Sequence, residues 1–361
     1  MQMRILAQTI HDMIPGTAQS QRMNSDVSEN SDKCLGAQFG PPSVPASWFH
    51  VCESQELRPQ PRGFDLGGHS FVGYRTNAGR PVVLSGRCSH LGAYLRNGSV
   101  SGEHLVCPLH GWEFGPEGRC EKIPSSAVVP EFARQGCYPV EERAGQVFFF
   151  NRPTARFPLP FFDGISSAEL LNSRPFELTA DAPWYFVGAN GFDLQHFRMA
   201  HDRTLLETPE VSQPSPFARR IVAKFAVSGD SLPDRLTRLF AGPQVTMDVT
   251  SWCGTMIFVR ATFARTTSFG LFNVLPISEI KTLGRVIVWV KRSNNALGRL
   301  CFDPFNARIR RLFIRGFLHS DLPRIAGLRY QPGHLIAADQ VMADYFEWLT
   351  KITGSSTLET I

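Results

Sequence analysis

The chain has 361 residues, 43% of them hydrophobic and 19% charged, with a formal net charge of +5. That length allows two domains and an ample core. The mild positive charge comes with no basic tract interleaved by aromatics, which argues against nucleic acid as a partner. No run approaches the roughly 20 apolar residues needed to span a bilayer, so no transmembrane segment is expected.

Residues 1–45 are rich in Ser, Asn, Gln and Asp and end in Pro41-Pro42-Ser43-Val44-Pro45. Such a stretch buries too little surface to order itself, which predicts a disordered or loosely attached tail. Met1 to Ile14 lack a basic start followed by a long apolar run, so no secretory signal is expected.

A first domain is expected over residues 46–151. Its short β-like runs, at 70–74, 81–84 and 147–150, are broken by Gly, Asn and Pro, as in a small antiparallel β domain. Among them lie Cys88-Ser89-His90, then sixteen residues, then Cys107-Pro108-Leu109-His110. Two Cys and two His make up the ligand set of a [2Fe–2S] centre in which His replaces Cys on one iron. A structural zinc site uses the same set, but zinc loops usually pair Cys with Cys and His with His. Here each loop carries one of each, which suits a cluster with one iron under the thiolates and one under the imidazoles. Eight cysteines in such a chain do not make a disulfide scaffold. A labile iron–sulfur site suits a reducing compartment, so a cytoplasmic location is expected.

Residues 153–163, with three prolines, read as a linker to a second domain over 152–361. Helix-like stretches fall at 192–201, 305–318 and 335–352. Strand-like segments fall at 221–227, 244–250, 257–263, 271–275 and 285–291. Strands grouped in sequence between helices predict an α+β antiparallel sheet, not a doubly wound parallel one. Asp193, His196 and His201 stand out in the first helix. Helices carry His and Asp by chance, and a step of five turns about 140° around an α-helix. For the two imidazoles to converge, the helix is expected to loosen into a π-type turn or to end between them.

The loops Cys88-Ser-His90-Leu-Gly-Ala93 and Cys107-Pro-Leu-His110-Gly-Trp112 resemble the Rieske domains of ring-hydroxylating and related oxygenases. Respiratory-type Rieske proteins add a Cys to each loop and form a disulfide, where Ala93 and Leu109 stand here. They also have a Ser donor to the cluster where Trp112 stands. Fewer donors to sulfide lower the potential, so a low-potential electron donor is expected, not a quinol. Asp193-x2-His196-x4-His201 likewise resembles the catalytic domain of Rieske non-haem iron oxygenases. The resemblance covers roughly residues 46–350. It implies a Rieske β domain followed by a helix-grip (START-like) catalytic domain, binding a [2Fe–2S] cluster and Fe(II) with O2 as co-substrate. NAD(P)H would serve indirectly, through a partner reductase and/or a ferredoxin, since the chain has no flavin or dinucleotide fingerprint. A homotrimer is implied, with Asp193 bridging His110 of one subunit to His196 of the next. The alternative for Asp193 is an ordinary helix N-cap.

A facial triad needs a carboxylate beside the two His, and in the resembled family it comes from a helix near the C-terminus. On a helical wheel Asp339 falls among Leu335, Met342, Phe346 and Leu349, whereas Asp344 falls on the opposite face. A carboxylate among apolar side chains is costly unless paired or metal-bound. Asp339 is therefore the expected third ligand and Asp344 the solvated residue, with a salt bridge as the alternative for Asp339.

Weaker signals receive ordinary readings. Cys34, Cys52, Cys120, Cys137, Cys253 and Cys301 read as small buried residues, and His50, His69 and His104 as surface or structural histidines. The basic amphipathic stretch at 306–317 reads as a solvated helix face, with docking of an acidic ferredoxin or a membrane surface as alternatives. Most of the 28 Phe read as core, though some would suit a greasy cavity. The resemblance is nearest to ketosteroid hydroxylase and aminopyrrolnitrin-type oxygenases. It implies monooxygenation of a hydrophobic substrate in secondary metabolism or catabolism. Desaturation, oxidative cyclisation, demethylation, N-oxidation and cis-dihydroxylation are open to the same iron. A different class is an electron-transfer protein whose second domain only binds a ligand.

Overall fold

The computed structural model describes residues 43–331 and 333–354. All but the last three residues of the expected tail, and Cys34, lie outside them.

The first half is built from short antiparallel strands, as the broken β-like runs predict. Strands Arg62–Leu66, His69–Arg75 and Pro81–Ser85 form a meander, and Cys137–Tyr138 adds a fourth strand. A second four-stranded sheet runs from Ser99–Ser101 to Cys120–Lys122; the first cysteine loop follows strand Pro81–Ser85, and the second connects strands His104–Val106 and Glu113–Phe114. Strand Trp48–Glu53 pairs with Gln146–Phe150, which pairs with Val140–Arg143.

The second half is dominated by a nine-stranded sheet with antiparallel pairings throughout. Its backbone is a meander of four long strands, Gln244–Trp252, Met256–Phe263, Thr267–Ser278 and Lys281–Lys291. Long alternating runs such as Ala218–Val227, buried at every second or third residue, place one face inward. Helices α1 (Trp184–Ala189), α2 (Leu194–His201) and α3 (Leu232–Phe240) precede the meander. A π turn at Gly298–Phe302 then leads into α4 (Asp303–His319), followed by the short α5 (Leu322–Ile325) and the closing α6 (Gln340–Gly354). The antiparallel α+β architecture is thus the one expected.

Two differences matter. Residues 153–163 are not a free tether, because Phe157, Leu159 and Phe162 are buried in a core shared by Trp48, Phe150, Leu271 and Trp289. Trp48 Nε1 donates to the Phe157 carbonyl at 3.0 Å, so apolar burial outweighs the prolines. The helix expected at 335–352 also begins late. Ile336 is extended, and residues Ala337–Asp339 form a 3-10 turn before α6.

Candidate metal centres

The two cysteine loops share one frame. Cys88 N donates to Ala93 O at 2.9 Å, and Gly92 N donates back to Cys88 O at 2.9 Å. In the second loop Cys107 N donates to Trp112 O at 2.8 Å, and Gly111 N to Cys107 O at 3.1 Å. Each six-residue loop closes through a glycine at positive φ, 72° at Gly92 and 70° at Gly111, where a Cβ would be strained. Both cysteines are 3% exposed, whereas His90 and His110 are exposed, with their Nδ1 atoms 3.1 Å apart. Trp112 stacks on His90 with ring centroids 4.4 Å apart and planes 6° from parallel. The loops therefore offer buried sulfur on one side and exposed imidazole nitrogen on the other.

Burial pushes the Cys88 thiol up to about 11, against the pull of the His90 and Leu91 backbone amides and with the Cys107 sulfur adding to the rise. A buried thiol pair with amides aimed at sulfur is the environment in which a cluster, not water, takes up the thiolate charge. The four residues fit a [2Fe–2S] group.

The second centre lies at the end of α2. Asp193 is the N-cap, its Oδ1 accepting from His196 N at 2.9 Å. The helix stays α-helical through His201 and stops there, with Asp202 in the left-handed region at φ 51°. The loosened or interrupted helix expected from the spacing is therefore not found. The imidazoles meet by reach instead, His196 Nε2 and His201 Nε2 lying 3.2 Å apart. Arg203 holds the helix end, its Nη1 donating to His201 O at 2.6 Å and to the buried Asp234 at 2.8 Å.

The structure brings Asp321, and not Asp339, to this pair. Asp321 Oδ1 is 3.2 Å from His196 Nε2 and 3.0 Å from His201 Nε2. These three residues are the one such His/Cys/Asp/Glu cluster among the described residues. Asp321 is 5% exposed, and its Oδ1 accepts no well-aligned hydrogen bond. Three donor atoms about 3 Å apart match one face of an octahedron whose ligands stand roughly 2.1 Å from a common centre. A buried carboxylate oxygen aimed at two imidazole nitrogens fits a divalent iron. Burial pushes the Asp321 carboxyl up, but the two imidazoles outweigh it and hold it below the ordinary value. Asn190 Nδ2 lies 3.3 Å from His196 Nε2 and 3.5 Å from Asp321 Oδ2.

Asp339 is placed elsewhere because the helical wheel presumed a helix that begins at Leu335. In the 3-10 turn its Oδ2 accepts from Ile336 N at 3.0 Å, and its Oδ1 accepts from Gln195 Nε2 at 2.6 Å. Asp344 accepts from Gln340 Nε2 at 2.6 Å on the partly exposed side of α6. Asp321 lies two residues beyond the end of α4. Ile314, Phe317, Leu318 and Asp321 follow at helical spacing, and all four line the cavity beside the two histidines.

That cavity encloses about 230 Å³. Its walls come from the inner face of the sheet, including Phe225, Met247, Val259 and Phe272, and from Phe313 and Phe317 of α4. His196, His201 and Asp321 supply most of its charged or titratable lining, with Arg203. Some of the phenylalanines thus do line a greasy cavity. Among the weaker signals, His50 is fully interior, hydrogen-bonded through Nε2 to Gln146 at 2.8 Å, and His104 pairs with Glu121 at 2.8 Å. Cys301 is exposed, contrary to its reading as buried, because it lies in the solvent-facing π turn.

Comparison with known proteins bears on both centres. The Rieske [2Fe-2S] domain family matches residues 47–133. Cholesterol 7-desaturase nvd 1 of Ciona intestinalis is 31% identical over 166 residues, covering 45% of this chain and 35% of that protein. Aminopyrrolnitrin oxygenase PrnD of Pseudomonas fluorescens is 34% identical over 179 residues, covering 46% of this chain and 48% of that one. The chain thus spans between about a third and a half of the length of these curated relatives. Among solved structures, dicamba monooxygenase bound to dicamba superposes with a TM-score of 0.66 over 87% of this chain and 100% of that one, at 17% identity. At that identity the likeness is one of fold.

Proposed function

We propose that the chain is a Rieske non-haem iron oxygenase component, and that it uses O2 and electrons from a separate reductase or ferredoxin to monooxygenate a hydrophobic organic substrate. The observation that carries the proposal is the placement of His196, His201 and Asp321 on the wall of an apolar cavity. When bound, a [2Fe–2S] cluster at Cys88, His90, Cys107 and His110 supplies single electrons, and Fe(II) at the triad supplies O2 activation.

The chain's own residues do the rest. Apolar walls bind and desolvate a substrate without fixing its polar groups, so orientation depends on shape and on the few polar contacts near Asn190 and Arg203. Asp193 caps α2, accepting from the His196 backbone amide. In a trimer its second oxygen is free to receive the exposed His110 of a neighbouring subunit, which would align the two imidazoles. The relatives include both a desaturase and an oxygenase by name, so desaturation, N-oxidation, demethylation, oxidative cyclisation and cis-dihydroxylation are the alternatives open to the same site.

The competing class, an electron-transfer protein with a passive binding domain, needs the cluster but no triad. Iron content separates the two. The oxygenase reading expects about three irons per chain with two acid-labile sulfides, and reductase-driven O2 uptake that rises with an apolar substrate. About two irons per chain, with no such uptake, would sink it.

A further inference from the structure

We propose that α3 and α4 form a docking face for an anionic lipid surface, and that the substrate passes from the bilayer into the cavity between them. Docking of this kind presupposes the oxygenase reading and deepens it by naming the source of the substrate.

Both helices turn an apolar stripe to solvent. On α3 the stripe is Leu232, Leu236, Leu239 and Phe240, with Leu239 64% and Phe240 70% exposed. On α4 it is Phe305, Ile309, Leu312 and Phe313, with Phe305 62% and Ile309 48% exposed. The two sets share one spacing, i, i+4, i+7 and i+8, which is a helix face. Ordinarily such a face turns inward, and scattered single apolar residues need no explanation. Two complete faces left outward do.

Their position ties them to the cavity. Thr237 of α3 and Phe313, Ile314 and Phe317 of α4 line it, so Phe313 reaches from the cavity wall to the solvent. The turn between strands Met256–Phe263 and Thr267–Ser278 joins the two helices. Arg265 donates through its backbone to Ala241 O at 3.2 Å and through its guanidinium to Leu239 O, while Arg310 reaches Thr266 and Ser268. The apolar stripes thus flank one rim.

Charge selects the occupant. The two helices carry six arginines and two acids, Asp234 and Asp303. Both acids are buried, Asp234 held by Arg203 and Asp303 by Ser293. Arg235, Arg308 and Arg315 are exposed beside the stripes, with Arg265 on the turn. The one exposed acid at the start of α3, Asp230, pairs with Arg238 at 3.6 Å, and apolar residues flanked by arginines in excess are what an interfacial helix uses to enter the headgroup region. An acidic protein partner with its own apolar patch is the competing occupant, which the test below distinguishes.

The test uses the full chain loaded with iron and cluster, sedimented with phosphatidylcholine vesicles made with or without phosphatidylglycerol. Binding is expected on the anionic vesicles and is expected to weaken as salt rises. The double variant Leu239→Ser, Phe240→Ser is expected to bind about tenfold or more weakly. Arg308→Ala with Arg315→Ala is expected to lose roughly fivefold per arginine and most of the preference for anionic lipid. All four positions are exposed, and unchanged iron and sulfide content shows that the variants are folded. The proposal is overturned if the chain ignores anionic vesicles at low salt, or if both variants bind like the parent. It is also overturned if the double variant instead abolishes a concentration-dependent self-association, or if an acidic soluble protein takes the face in preference to vesicles. Vesicle binding by a chain that lacks the mononuclear iron would keep the docking face and remove the oxygenase reading.

Discussion

The imidazole of His201 lies face to face with the phenyl ring of Phe317, their centroids 3.7 Å apart and their planes 14° from parallel. One ring belongs to a triad residue on α2 and the other to the helix that walls the cavity. The stack therefore couples the shape of the binding space to the aim of His201 Nε2. Phe317→Ala is expected to free the imidazole and to enlarge the cavity by about one ring. Iron should then dissociate faster into a chelator, by about tenfold or more, while Phe317→Tyr should retain it. Equal chelation rates for the alanine variant and the parent would show that the stack does not hold His201.

Asp321 and Asp339 make opposite predictions. Asp321→Ala removes the carboxylate nearest both imidazoles and should lose the mononuclear iron while the reduced cluster keeps its EPR signal. Asp339→Ala removes hydrogen bonds to Gln195 and to the Ile336 amide. It should cost only about 1 kcal/mol of stability and leave iron content unchanged. Loss of iron from the Asp339 variant alone would restore the wheel-based assignment.

Asp193 has a local duty and a proposed intersubunit one, and substitutions separate them. Asn caps a helix as well as Asp does, whereas Ala loses about 1 kcal/mol. Asp193→Asn should therefore keep thermal stability, iron and cluster, yet slow reductase-driven O2 uptake by about 10–100-fold. If uptake follows stability across the Asn and Ala variants, Asp193 is a cap and nothing more.

His50 sets a pH dependence of stability. Burial, reinforced by the Arg285 guanidinium, pushes its imidazole down to about 3 from 6.5. Between those values the unfolded chain takes up a proton that the folded chain refuses, so stability is full above the unfolded value and falls as pH drops. From about pH 7 to about pH 5 this single residue should remove about 2 kcal/mol. His50→Gln should flatten that part of the curve in urea titrations; a slope that survives the substitution assigns it to other groups.

Both metal centres were legible to different depths. The first is brought together as the spacing expects, because all four of its candidate ligands sit on two short loops. The second was half legible. His196 and His201 lie on one helix, but the carboxylate that meets them comes from elsewhere in the fold, and one that follows Ser320 and precedes Leu322-Pro323 looks like an ordinary helix start. The wheel misled at Asp339 because three residues of 3-10 turn rotate the frame before α6 begins. Sheet and helices were legible from alternation and length. That Phe157, Leu159 and Phe162 are core was not, since three prolines in eleven residues mask their burial.

The seam between the halves has a consequence for how the molecule comes apart. His50 N donates to Asn273 Oδ1 at 2.7 Å, Arg285 Nη1 donates to His50 O at 2.8 Å, and Trp48, Phe148 and Phe150 cover Leu271, Ile287 and Trp289 of the large sheet. A cut near residue 151 would leave that side of the sheet bare and wet on one fragment and a stripped three-stranded ribbon on the other. The two halves therefore share one packed seam, and neither is expected to keep its fold once the other is cut away.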